Sequence, residues 1–170
     1  MKKIIISTIA LATLLTTANA AETNGEFFIM GGQNKVSGTA IHNKTYTDGG
    51  IGYGFTKYWD NGILAGASLY LDGSGSDEFS YGVDARLGYS YANAGVYGIV
   101  SGTGQTLGGS GLNSDGGTTS YGFGGGAGIE YKFDKWAIAG EYKTYSMTSG
   151  AVTLPDYTLT TQKLLLKYRF

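Results

Sequence analysis

Residues 163–170, Lys-Leu-Leu-Leu-Lys-Tyr-Arg-Phe, decide how the rest of the chain is read. At a period of two they place Leu164, Leu166, Tyr168 and Phe170 on one face and Lys163, Leu165, Lys167 and Arg169 on the other. That is a β-strand pattern, with no helical alternative. A strand with a greasy face and an open edge aggregates unless another strand covers the edge. Pairing with the first strand of the chain would close the sheet, and the greasy face could then turn outward.

The same alternation recurs upstream. It is clearest from Phe79 to Ser90, where Phe79, Tyr81, Val83, Ala85, Leu87 and Tyr89 oppose Ser80, Gly82, Asp84, Arg86, Gly88 and Ser90. Gly49–Phe55, Ile63–Leu71, Thr119–Phe133 and Trp136–Ser146 follow the same rule. Glu26–Lys35 and Gly95–Gly102 also read as strands, but either phase fits them. With the last strand, from about Tyr157, this makes eight. Connections alternate in length. Long polar ones are expected at 36–47, 72–78, 103–117 and 147–156, and short ones at 57–62, 91–93 and 134–135. The expected fold is all-β, an eight-stranded antiparallel up-and-down transmembrane β-barrel, because such barrels have short turns at one end and longer loops at the other.

Composition bounds the alternatives. Met1–Ala20 has a Lys2-Lys3 n-region, an apolar run from Ile4 to Leu15 and an Ala18-Asn19-Ala20 cleavage site, so it reads as a signal peptide ahead of a barrel domain at 21–170. Its apolar run is too short to span a bilayer as a helix. Removing Lys2 and Lys3 leaves ten basic against thirteen acidic residues, a balance that argues against nucleic-acid binding. Without cysteine there is no disulfide or thiolate-metal scaffold. Thirty Gly beside fourteen Tyr is unlike a disordered chain, which is poor in aromatics.

Charges assign the faces. Asp84, Arg86, Glu130, Lys132, Glu141, Lys143, Lys163, Lys167 and Arg169 share the polar face. A basic side chain facing lipid at midplane costs roughly 2–4 kcal/mol, so these residues are expected in the lumen as an ion-pair network. Arg86 is expected to pair with Glu130 or Glu141. Gly122, Gly124, Gly126 and Gly128 would give clearance to long neighbours such as Tyr145. An eight-stranded lumen is just wide enough to be filled by side chains, which argues against an open pore. Phe55, Tyr58, Trp59, Tyr89, Tyr91, Tyr131, Phe133, Trp136, Tyr168 and Phe170 flank the short turns or the C-terminus, as an interfacial girdle would.

Tyr121–Phe133 (YGFGGGAGIEYKF), Gly140-Glu141-Tyr142 and Lys167-Tyr168-Arg169-Phe170 carry a resemblance to the small eight-stranded outer-membrane barrels of Gram-negative bacteria, the OmpA/OmpX and opacity-protein type. The resemblance covers the whole chain after the leader and rests on pattern more than on motifs. It implies an outer-membrane location and contact with outer-membrane lipid and lipopolysaccharide. It also implies that Leu164, Leu166, Tyr168 and Phe170 form the signal read by the barrel-assembly machinery. A peptidoglycan-binding domain, present after the barrel in some relatives, is not expected. The implied role is non-enzymatic: four external loops displayed for surface contact or adhesion to a host or cell-surface ligand, or a contribution to envelope integrity. A small-solute channel is the alternative.

The residues offering sharper chemistry are few. His42, with Ser74, Ser76 and Asp77, resembles the loop residues of lipid A palmitoylating barrels, but the spacing does not reproduce their Asp-Ser pair. Gly122-x-Gly124-x-x-Ala127 lacks the helix that a dinucleotide fingerprint needs. Asn43-Lys44-Thr45 is a chance sequon. Asp72, Asp77 and Glu78 lack calcium-loop spacing and read as a solvated acidic loop. No cofactor or metal is expected.

Overall fold

The computed structural model describes residues 21–38, 41–74, 78–107, 118–149 and 156–170. The leader, 1–20, lies outside them. Eight strands follow one another: β1 (Ala21–Gly38), β2 (Ile41–Trp59), β3 (Ile63–Ser74), β4 (Glu78–Tyr91), β5 (Ala94–Leu107), β6 (Thr118–Phe133), β7 (Trp136–Ser149) and β8 (Tyr157–Arg169). Each pairs antiparallel with its sequence neighbours, and β8 pairs back onto β1, so the sheet is a closed barrel. Gly25 and Phe170 complete the seam by exchanging both backbone hydrogen bonds, each 3.0 Å.

Register sets the shape. Partners followed round the barrel from Phe27 run through Tyr53, Leu69, Val83, Gly102, Phe123, Ser146 and Thr158 and return to β1 at Ser37, ten residues further along. Ten residues at about 3.3 Å against eight strands about 4.8 Å apart give a strand tilt of about 41°.

The short turns are tight. Gly62 has φ 86°, and the two-residue turns Ala92-Asn93 and Asp134-Lys135 begin at φ 50° and 52°. Positive φ at the first turn residue suits the twist of a two-residue hairpin. Gly62, Asn93 and Lys135 each accept a backbone bond from the next strand over, from Ser90, Lys132 and Arg169.

The expected bounds of all four long connections are corrected. Val36–Gly38 and Ile41–Thr47 are strand, not loop, since β1 and β2 pair as far as Gly38 and Ile41. The ends of β3, β5 and β7 likewise continue through Ser74, Leu107 and Ser149. Near the long-loop end the pattern inverts. Val36, Tyr145, Met147, Tyr157 and Leu159 face inward as an apolar cap, with Tyr46 against it, while Lys35, Thr45, Thr47, Thr144, Ser146 and Thr158 are exposed. There the barrel is built like a soluble one, so its outward polar residues read as loop. The two open phases are also resolved. Phe27 and Ile29 point out and Phe28 and Met30 in, while Val96 and Val100 point out and Tyr97 and Ile99 in.

Candidate functional site

The chemistry-bearing side chains of the barrel line its axis. Strand alternation puts every second residue inside, and there Asp84, Arg86, Glu130, Glu141, Lys143, Lys163 and Lys167 are all buried. Lys132 and Arg169, also on the inward face, are half-buried near the short turns.

Three clusters succeed one another along the lumen. Nearest the short turns, Arg86 Nη2 donates to Glu26 at 2.9 Å and to Thr56 Oγ1 at 3.3 Å. Lys167 Nζ lies 3.9 Å from the same Glu26 carboxylate and donates to Glu130 at 2.7 Å, where the Tyr58 hydroxyl also donates. Midway, Lys143 bridges Asp84 at 2.8 Å and Glu141 at 3.5 Å, and Tyr97 donates to Glu141. Ser101 donates to Asp84, and the Tyr145 hydroxyl lies 3.0 Å from Ser101 Oγ and 3.2 Å from the Tyr70 hydroxyl. Towards the long-loop end, Lys163 donates to both Asp48 and Asp72, and Asn34 donates to Asp48 at 2.6 Å. Lys44 pairs with Glu78 at 2.7 Å.

Arg86 therefore does not pair with Glu130 or Glu141. Glu130 is taken by Lys167, two strands away, and Glu141 by Lys143 on its own strand, while Arg86 reaches Glu26 across the bore. The lumen also holds four carboxylates absent from the expected set: Glu26, Asp48, Asp72 and Glu78. Asp72 and Glu78 are buried, not a solvated loop. Asp48 was legible, since it continues the inward row of Gly50, Gly52 and Gly54, and Asp72 continues that of Ser68 and Tyr70. Glu26 was not, since the phase of β1 was open.

Each buried carboxylate thus meets a cation, as it must, because an unpaired buried charge is heavily penalised. The tyrosines fill the remaining bore. A Cβ on inward Gly122 would strike Met147, and one on Gly128 would strike the Tyr97 ring. Ser76 and Asp77 fall outside the described residues, and so does the His42 side chain.

The outer wall is the complement of the lumen. Leu69, Val83, Leu87, Val96, Val100, Ile129 and Leu164 are all exposed large apolar residues. An exposed belt of this extent marks a hydrocarbon or partner interface on a protein of this size. At its short-turn edge, Tyr89, Tyr91, Tyr131, Phe133, Trp136 and Phe170 are exposed, and Phe55, Trp59 and Tyr168 half-exposed. Trp136 meets Tyr168 edge to face at 5.1 Å between centroids. Tyr58 does not join this edge, because strand parity turns it into the lumen against Glu130. A second group at the opposite edge, Phe79, Tyr81, Tyr121 and Phe123, was not anticipated, although the outward alternation of β4 and β6 already contains it.

No protein-family model and no curated protein matches the chain. Solved structures do. Ail, the attachment invasion locus protein of Yersinia pestis, superposes with a TM-score of 0.61 at 16% identity, over 88% of this chain and 99% of that one. Neisserial surface protein A gives 0.58 at 12%, over 89% and 100%. The N-terminal β-barrel domain of Pseudomonas aeruginosa OprF gives 0.54 at 14%, over 88% and 100%. At such identities the likeness is one of architecture, and it agrees with the closed register, the charged lumen and the greasy wall: this chain has the fold of the small eight-stranded outer-membrane β-barrels.

Proposed function

We propose that the protein is a non-enzymatic barrel of a Gram-negative outer membrane, exported by a cleaved leader at 1–20 and holding four connections at its long-loop end outside the cell. Those connections serve surface contact or adhesion, or the barrel stiffens the envelope. The observation that carries this reading is the division of the wall: an apolar belt edged by aromatics outside, and paired charges inside. The attachment name of Ail favours surface contact among the possible roles, at the level of a shared fold. Leu164, Leu166, Tyr168 and Phe170, on the outward face of β8, serve as the signal for the barrel-assembly machinery.

The lumen argues against the channel alternative. Tyr70, Ser101 and Tyr145 meet across it, and Lys143 is held between Asp84 and Glu141. The test is fractionation, gel mobility with and without boiling, and conductance in planar bilayers. The reading expects an outer-membrane protein whose mobility changes on boiling and that carries no steady current. A steady ohmic conductance supports the channel. Loss of binding to host cells when single loops are deleted would assign the contact role, and lipid A mass analysis of a His42→Ala strain tests the enzyme reading.

A further inference from the structure

Gly98 on β5 and Gly140 on β7 face outward in the apolar belt, and the fold itself does not need them to be glycine. A Cβ on Gly98 would come no nearer than 3.9 Å to Leu87 O, and one on Gly140 no nearer than 3.9 Å to Ile129 Cγ1, both ordinary contacts. Inward Gly124 and Gly126 differ, because a Cβ there would strike the carbonyl oxygens of Thr144 and Tyr142. Outward strand positions favour branched and aromatic residues, and glycine in a strand interior marks a place where something approaches the backbone closely.

What these glycines create is a groove of about 1000 Å³ in the outer wall. Gly98, Ala127 and Gly140 form its floor, and Ile129 and Tyr142 stand as ridges beside it. Its upper end is polar. Gln33 and Gln162, both exposed, are register partners across the β1–β8 seam. Lys35, the next outward residue on β1, is exposed and takes part in no ion pair among the described residues. Of the described strand residues in the long-loop half, it is the charge that faces outward.

We propose that this groove is a lipid site: an acyl chain lies on Gly98, Ala127 and Gly140, and the anionic phosphate headgroup of the same lipid meets Lys35, Gln33 and Gln162. The assignment rests on the reading of the wall as lipid-facing. Charge selects the occupant, since a single cation beside two amides at the mouth of an apolar groove complements a phosphorylated lipid. A second barrel fits worse. Its convex wall would ride on Tyr142 and Ile129 and leave the glycine floor empty.

Native mass spectrometry of the full chain, released from nanodiscs of phosphatidylcholine mixed with phosphatidylglycerol or with lipid A, tests this. The wild type is expected to retain one anionic lipid at least tenfold over phosphatidylcholine, and the two mixtures distinguish a phospholipid from a lipid A source. Gly98→Leu with Gly140→Leu, or Ala127→Leu should the double variant fail to fold, is expected to remove that lipid. Lys35→Ala is expected to erase the preference for the anionic one. Unchanged retention in variants with intact heat-shifted mobility would overturn the site, as would a dimer that dissociates when the groove is filled. Monodispersity in plain buffer, measured separately, would instead overturn the lipid-facing wall itself.

Discussion

The Arg86 guanidinium on β4 donates to the Glu26 carboxylate on β1 across the lumen, 2.9 Å apart and with both side chains buried. Sixty residues separate the two in the chain. The pair therefore forms only when the barrel has curled round, and it reports closure as well as charge placement.

Removing one partner strands the other. Arg86→Met leaves Glu26 to Lys167 alone, at 3.9 Å, and Glu26→Met leaves the guanidinium unpaired. Each single change is expected to cost about 3–5 kcal/mol, and the double variant less than the sum, because apolar replacement of both partners removes the uncompensated charge. Urea unfolding in lipid vesicles measures all three. Additive losses would mean the two groups do not interact.

Inward and outward glycines separate by a second prediction. Gly126→Ala puts a methyl against the Tyr142 carbonyl and should cost about 1–3 kcal/mol or block assembly. Gly31→Ala, whose nearest neighbour would be Asp48 O at 3.7 Å, should change stability little. The fraction of each variant showing a shifted unboiled band decides it.

The seam gives a third. The Phe170 ring lies over Gly25, where a Cβ would come within 2.7 Å of it, and packs 6.3 Å from Tyr53 between centroids. Phe170→Ala is expected to slow folding into vesicles severalfold while leaving the β1–β8 register intact. Gly25→Val, which displaces the same ring, should produce a similar delay. Normal rates for both would remove the ring from the account of closure.

Most of the fold was legible because the membrane belt enforces one rule: where β3, β4, β6 and β8 cross it, the outward row is apolar and the charges point in. Where that rule reverses, the reading failed. Val36, Tyr46 and Met147 turn inward beneath outward Thr, Ser and Lys, and a stretch with polar residues at alternate positions reads as loop when the opposite orientation is assumed. The lumen was legible as a set of charges but not as pairs. Alternation places Arg86 inside, yet only the ten-residue stagger decides which carboxylate meets it across the bore. Tyr58 failed for a related reason, since nearness to a turn does not say which face a residue takes.

Because the chain contains no cysteine, single cysteines can be placed at will along the outer wall. Spin labels at Val83, Leu87, Ile129 and Leu164 in reconstituted vesicles, with collision rates measured against oxygen and a water-soluble nickel chelate, report which medium the midwall meets. Strong oxygen and weak nickel collision are expected at all four. Strong nickel collision at Leu87 and Ile129 in protein with a native unboiled band would contradict a lipid-facing wall.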